Sequence, residues 1–237
     1  MFKFSCLCLT FNYLLSMPLS ALRRRAVICR LAHALLCMVL LGAGVMVEAQ
    51  TATFSYSIST LGGGFNTPFD VAVDRGGNVY VADEYNEEVK KIPAGCVSSS
   101  CVTNLASGSF SMPYSVAVDE SGNVFVVDYN SNGVYEIVAP DYTTVNQLAK
   151  GHAFNSIWGV AVDASYNVYV TDSGASAVYE IMAPSYTTMN PLGGGFSNPE
   201  GVAVDGSGNV FVADEGHNAV KEITFSGGLL VYASNAE

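Results

Sequence analysis

The chain has 237 residues, 50% of them hydrophobic and 13% charged, with 10 basic against 21 acidic residues and a formal net charge of −11. Five of the bases (Lys3, Arg23, Arg24, Arg25 and Arg30) and one acid, Glu48, stand in the first 49 residues, which leaves five bases against twenty acids, net −15, in the rest. So acidic a surface repels phosphate backbones and argues against binding nucleic acid, which depends on basic side chains that neutralise phosphates.

In chain order, the first element is an N-terminal leader, residues 1–49. Arg23-Arg24-Arg25 and Arg30 precede an apolar run from Leu31 to Val47 broken only by His33, and Val47-Glu48-Ala49 offers small residues where a signal peptidase reads. The segment reads as a signal peptide. An uncleaved membrane anchor is the alternative, because an apolar run of about 17 residues reaches the lower limit for crossing a bilayer. Either reading exports the rest of the chain as a periplasmic, extracellular or membrane-tethered protein. Cys6, Cys8, Cys29 and Cys37 lie in the leader, so only Cys96 and Cys101 remain, as CVSSSC. A local disulfide is expected there, against a redox pair or free thiols.

Residues 50–237 are dominated by four gapless copies of a 25-residue unit, at 68–92, 113–137, 157–181 and 199–223, starting 45, 44 and 42 residues apart. In the first, Val71 and Val73 alternate around Ala72, Asp74 to Asn78 supplies turn residues, and a β-rich run from Val79 ends at Asp83. A third short strand follows at Val89 to Ile92. The Thr-rich stretches Tyr142 to Leu148 and Tyr186 to Leu192 read as fourth, outer strands. Four short antiparallel strands per repeat make one blade, so the fold class is all-β, a β-propeller. The 187 residues from Thr51 onward, at roughly 43 per blade, give between four and five blades. An incomplete or truncated propeller is expected, a four-bladed arc with a leading outer strand from Phe54 to Leu61 and a last one from Gly228 to Ala233. A closed four-bladed disc is the alternative.

The string GVAVDGSGNVFVAD from Gly201 to Asp214, with close versions at Val71, Val116 and Val160, resembles the NHL repeat, in the form carried by exported bacterial proteins. The resemblance extends from Phe65 to about Phe225 and implies a propeller, usually six-bladed in that family. It implies little about activity, because such propellers serve as protein-binding, RNA-binding, ligand-sensing and catalytic scaffolds.

Antiparallel order places the first turns and the CVSSSC loop on the bottom of the disc and the starts of the first strands, with the second turns, on the top. Asp74, Asp119, Asp163 and Asp205 open the first turn, and Asp83, Asp128, Asp172 and Asp214 the second. A carboxylate needed once per blade reads as a structural turn residue that bonds backbone amides. Phe69, Tyr114, Trp158 and Glu200, two residues before each first-strand Val, vary instead. They are the candidate ligand-binding rim, with Tyr85, Tyr129, Glu84, Glu215 and His217 on neighbouring turns; the competing reading packs these rings between blades.

No nucleophile elbow, zinc-protease motif or phosphate loop occurs. No metal site is expected, and no cofactor; calcium stays a minor alternative, since the acidic clusters contain no EF-hand loop. The function expected is a non-catalytic module that binds a protein, peptide or glycan through the top face. The alternative is a metal-dependent hydrolase or lyase of the gluconolactonase kind on the same scaffold, with Glu200 and Asp214 or Asn130 as ligands.

Overall fold

The computed structural model describes residues 58–226 and 229–232; the side chains from Phe225 onward lie outside the description, as does the expected leader, 1–49. The described chain is all-β, with four antiparallel four-stranded sheets, each wound in sequence order. Blade 1 holds β1 (Pro68–Val73), β2 (Val79–Asp83), β3 (Glu88–Ile92) and β4 (Thr103–Leu105). Blade 2 holds β5 (Pro113–Val118), β6 (Val124–Asp128), β7 (Gly133–Ile137) and β8 (Val145–Gln147). Blade 3 holds β9 (Ile157–Val162), β10 (Val168–Asp172), β11 (Ala177–Ile181) and β12 (Met189–Leu192). Blade 4 holds β13 (Pro199–Val204), β14 (Val210–Asp214), β15 (Ala219–Ser226) and β16 (Leu229–Tyr232). The last of these is the outer strand expected near Gly228. The outer strand expected from Phe54 does not appear among residues 58–61, which form no strand, and 54–57 lie outside the described residues.

Val, Ile and aromatic residues recur at every second position of these strands and suit a pleated surface buried on both sides. Each blade therefore has two apolar faces. The forward face of blade 1 carries Ala72, Tyr80, Ala82, Val89 and Leu105, and it packs on Val116, Val118, Val124, Val126 and Ile137 of the back face of blade 2. Blade 2 repeats this against blade 3, with Ala117, Phe125, Val127, Val134 and Leu148 facing Val160, Val162, Val168, Val170 and Ile181. Blade 3 repeats it against blade 4, with Ala161, Tyr169, Val178 and Leu192 facing Val202, Val204, Val210, Val212 and Ile223. The core is thus three stacked interfaces, not one central mass.

The inner strands β1, β5, β9 and β13 stand side by side around a channel. Glycine is needed where two of them approach most closely: a Cβ on Gly159 would lie 2.5 Å from the carbonyl oxygen of Glu200. Among the described residues, no blade precedes the back face of blade 1. Its outer half, Val81 and Ile92, is covered by Phe65 and by the loop that the Cys96–Cys101 disulfide closes.

Two carboxylates fix each blade. In the first turn, Asp119 accepts hydrogen bonds from the amides of Ser121 and Asn123, both at 2.8 Å, and from the Asn123 side chain at 2.8 Å. The Asn123 side-chain oxygen in turn accepts from the amide of Ala139, ahead of the fourth strand. Asp74, Asp163 and Asp205 bond their turns in the same pattern. In the second turn, Asp128 is buried and accepts from the amides of Ser111, Met112, Asn130 and Ser131. It therefore ties its own turn to the segment that leads into the blade. Asp83, Asp172 and Asp214 reach back in the same way to the amides of Asn66, of Asn155 and Ser156, and of Ser197.

Asp128→Ala should cost about 3 to 5 kcal/mol, because it strands several amides in a buried site; a chemical melt that shifts by less than about 1 kcal/mol would contradict the assignment. Reduction of the Cys96–Cys101 bond should cost about 2 kcal/mol, the loop-closure entropy of so short a ring. Intact mass with and without reductant should differ by two protons, and two freely alkylated thiols in the unreduced protein would exclude the bond.

Candidate functional site

The top rim is built by a backbone irregularity. In blade 1 the register between β1 and β2 shifts between Pro68 and Asp70, and in blade 2 it shifts between Pro113 and Ser115. Corresponding shifts disturb β9 against β10, and β13 against β14 between Pro199 and Val202. Phe69, Tyr114, Trp158 and Glu200 sit at these shifts. A bulge releases its residue from ladder pairing and re-aims its side chain. This is why these four positions reach the channel mouth.

The structure brings the three aromatics together. Phe69 of blade 1 stacks on Tyr114 of blade 2 with ring centres 4.5 Å apart and planes within 5°. Tyr129, from the second turn of blade 2, stacks on Tyr114 at 4.7 Å. Trp158 of blade 3 leans across this stack, 5.3 Å from Tyr114, 5.6 Å from Tyr129 and 6.4 Å from Phe69, and donates its indole N–H to Ser156 Oγ at 3.3 Å. Four rings from three blades thus form one cluster of offset and tilted pairs. Tyr114 is the central ring of the stack. Phe69, at its end, remains 50% exposed, and Tyr85 nearby 62%. Burial, with the nearby charges of Glu84, Tyr129 and Tyr85, raises the Tyr114 phenol above its ordinary pKa.

Glu200 shares a concavity of about 450 Å³ with Phe69, Tyr114 and Trp158 at the top of the channel. Its backbone carbonyl accepts from Thr171 Oγ1 at 2.6 Å, and Thr171 Oγ1 also accepts from the amide of Gly159. Asn198 links the Glu200 and Glu215 side chains, 3.4 and 2.7 Å from its Nδ2. Between blades 1, 2 and 3 runs a polar relay. Asp70 Oδ2 accepts from Ser115 Oγ at 2.7 Å and from the Val116 amide at 3.0 Å, and Ser115 Oγ accepts from the Val160 amide at 3.1 Å. The relay satisfies inner-edge amides that no neighbouring strand pairs. Asp70 is not among the rim residues expected from the sequence; the signal available was a carboxylate where blades 2, 3 and 4 have Ser115, Gly159 and Gly201.

His217 stands apart from the rings. Its Nδ1 lies 2.8 Å from Asp214 Oδ2, beside the Lys221 ammonium that pairs with the same oxygen at 2.6 Å. Burial alone would raise the Asp214 carboxyl, but bonds from Lys221, the Ser197 amide and His217 outweigh it and hold the group below the ordinary carboxylate range. Lys221 also donates to the Gly195 carbonyl and lies over the Phe196 ring. Lys90 does the same in blade 1, with Asp83 at 2.5 Å, the Gly64 carbonyl at 2.7 Å and the Phe65 ring. In blades 2 and 3 the equivalent residues are Tyr135 and Tyr179, which meet Phe110 and Phe154 edge-on. The two glycine-rich LGGGF loops are therefore clamped by lysine, a pairing that sequence reasoning did not find.

Glu200, Asp214 and Asn130 do not converge: Asp214 is fully buried among the partners just named, and Asn130 bonds Ser111 Oγ. Among the described residues no group of three or more His, Cys, Asp or Glu side chains is placed to hold a metal ion. A concavity of about 200 Å³ at the other end of the channel is lined by the first turns of blades 2, 3 and 4, including Asp119, Asp163 and Asp205. A groove of about 650 Å³ lies between blades 2 and 3. Into it projects Tyr166, at φ 68° in a turn position that glycine holds in the other blades.

A sequence profile described as NHL repeat matches residues 65–92 and 196–223, the first and fourth units. No curated protein sequence matches the chain. Among solved structures, a catalytically inactive virginiamycin B lyase from Staphylococcus aureus, bound to quinupristin, is similar at TM-score 0.56 and 9% identity, over 70% of this chain and 54% of that one. A streptogramin B lyase matches at TM-score 0.58 and 12% identity, over 75% and 56%. Hydrazine synthase of Kuenenia stuttgartiensis matches at 0.59 and 15%, over 75% and 51%. The chain thus spans about half the length of these proteins, and the likeness is one of fold. The chain carries NHL repeats at its first and fourth units, and all four units fold as blades of a β-propeller.

Proposed function

We propose that this propeller is an exported, non-catalytic binding module whose top channel mouth receives a peptide, a glycan or an exposed segment of a protein. One observation carries the reading: aromatic rings at the bulged positions of three blades, with Tyr129 stacked among them, are gathered beside a concavity that also holds Glu200. Rings with a carboxylate opposite suit a ligand with one apolar or cationic face and hydrogen-bond donors on the other side. The mutual stacking assigns the rings two roles. Tyr114 and Trp158 join blades, while Phe69, half-exposed at the end of the stack, and Tyr85 offer surface to a ligand. A disulfide in the loop after β3 suits an oxidising compartment and supports export.

The test is a peptide and glycan screen on the intact chain, read by the emission of Trp158, the single tryptophan. Phe69→Ala should weaken binding by about 1 to 3 kcal/mol, the range for aromatic contacts at recognition sites, and leave the melting temperature nearly unchanged. Trp158→Ala should lower stability by about 1 to 3 kcal/mol, since it removes three ring contacts. Binding that Phe69→Ala leaves intact would move the site elsewhere, and turnover of any screened compound would replace the binding reading with a catalytic one.

Charge supports the exclusion of nucleic acid, since Arg75, Lys90, Lys91, Lys150 and Lys221 are the only bases after the leader. Arg75 pairs with Glu120, and Lys90 and Lys221 are held by Asp83 and Asp214. A mixed-sequence single strand should show no binding at micromolar protein and about 150 mM salt; a measurable complex there would overturn the charge argument.

A further inference from the structure

Among the described residues, the first and fourth blades leave the two halves of one interface uncovered. On the forward face of blade 4, Val220 is 72% exposed, whereas its equivalents Val89, Val134 and Val178 are fully buried against the next blade. Ala203 and Ala213 on the same face are exposed, and Phe211 is only partly covered. On the back face of blade 1, Val71 and Val73 are 59% and 61% exposed, whereas Val116 and Val160, the equivalents of Val71, are almost completely buried.

The remainder of that back face is built as the others are. Phe65 lies against Val81 and Ile92 as Phe110 and Phe196 lie in the interfaces of blades 1 and 2 and of blades 3 and 4. The disulfide loop occupies the place where Tyr142 and Tyr186, from the corresponding loops of blades 2 and 3, pack against the preceding blade. One end of the molecule thus presents a forward face and the other a back face, with the side chains that pack on each other three times within the chain.

We propose that these two surfaces pair between copies, so that blade 4 of one chain receives blade 1 of a second and continues the stacking head to tail. The occupant follows from continuity with the internal interfaces: alanine, an aromatic ring and valine on the forward face meet a valine and isoleucine wall on the back face, with no new chemistry required. The contact is heterologous, so it closes into a ring if the rotation allows and runs on into longer assemblies if it does not. A second copy also brings its Phe69 beside blade 4, and hence next to Glu200, so the channel mouth gains a wall from each chain.

The experiment is sedimentation equilibrium of the purified full chain, its Val71→Lys and Val220→Lys variants, and their mixture. Both valines are exposed in the single chain, so neither substitution should disturb the fold, which circular dichroism checks. The wild type should sediment at twice the monomer mass or more, each variant alone as a monomer, and the equimolar mixture as a pair, because one intact forward face and one intact back face remain between the two variants. A monomeric wild type, a variant that still self-associates, or a mixture that stays monomeric would each overturn the proposal. Ligand binding detected by Trp158 in a wild type that sediments as a monomer would leave the binding-site reading standing while this one fails.

Discussion

A four-stranded blade has no interior of its own, and the rest of the structure depends on that. Both of its faces are apolar, so each must be covered by a neighbour, and the repeat divides the work by sidedness. Valines at the fourth, sixth, twelfth and fourteenth positions of the unit and an isoleucine at the twenty-fifth form the wall that looks back, while Ala, Tyr or Phe and a Val form the surface that looks forward. The smallest residues, Ala72, Ala117 and Ala161, stand on the inner strands, where blades converge on the channel and space is least. Larger rings, Tyr80, Phe125 and Tyr169, stand one strand further out. This gradient from small to large is what lets flat sheets stack around an axis.

The conserved geometry of each blade then rests on carboxylates in place of further apolar area. The first-turn Asp binds its own turn, and the paired Asn passes the constraint to the loop before the fourth strand. The second-turn Asp reaches from a buried position to the segment that enters the blade. Every carboxylate oxygen used this way is already committed to N–H groups, and so the eightfold recurrence of Asp does not amount to a set of free ligands. The end blades add Lys90 and Lys221 to this system. There a lysine neutralises the buried Asp, bonds a glycine carbonyl and covers a Phe ring, which compensates for the missing tyrosine of the inner blades and holds a loop of three glycines in one conformation.

Much of this was legible in the sequence because periodicity and turn chemistry are local. The strand order, the turn Asp and Asn pairs, the disulfide in CVSSSC and the outer strand near Gly228 all follow from residues within one repeat. What escaped is non-local or depends on register. The bulge at Phe69 and its equivalents carries no composition signal of its own, only the variability of its position ahead of the shared Val-Ala-Val-Asp string. Ring stacking across blades requires knowing that Phe69 and Tyr114, 45 residues apart, are neighbours in space. The Lys90 clamp joins a strand residue to a glycine carbonyl 26 positions away. The strand expected from Phe54 was read from likeness to other segments, but residues 58–61 have no partner strand to order them in the described structure.

The bulged position is where this fold can change the chemistry of its rim without disturbing the strand ladder. A residue in the ladder is constrained by two cross-strand partners and by one blade interface, so its replacement propagates. A residue at the register shift has left the ladder, and its side chain is answerable to the channel mouth and to the rings beside it. That freedom explains why Phe, Tyr, Trp and Glu can occupy one structural position in four blades whose ladders barely differ. It also explains why the three rings collect on one side of the mouth and the acid on the other: the channel is lined by consecutive blades, so a change of residue type along the sequence becomes a change of chemistry around the rim. The chemistry of the rim is therefore encoded by the order of the blades, and any additional blade, whether from this chain or from another copy, would extend the rim by one more such position.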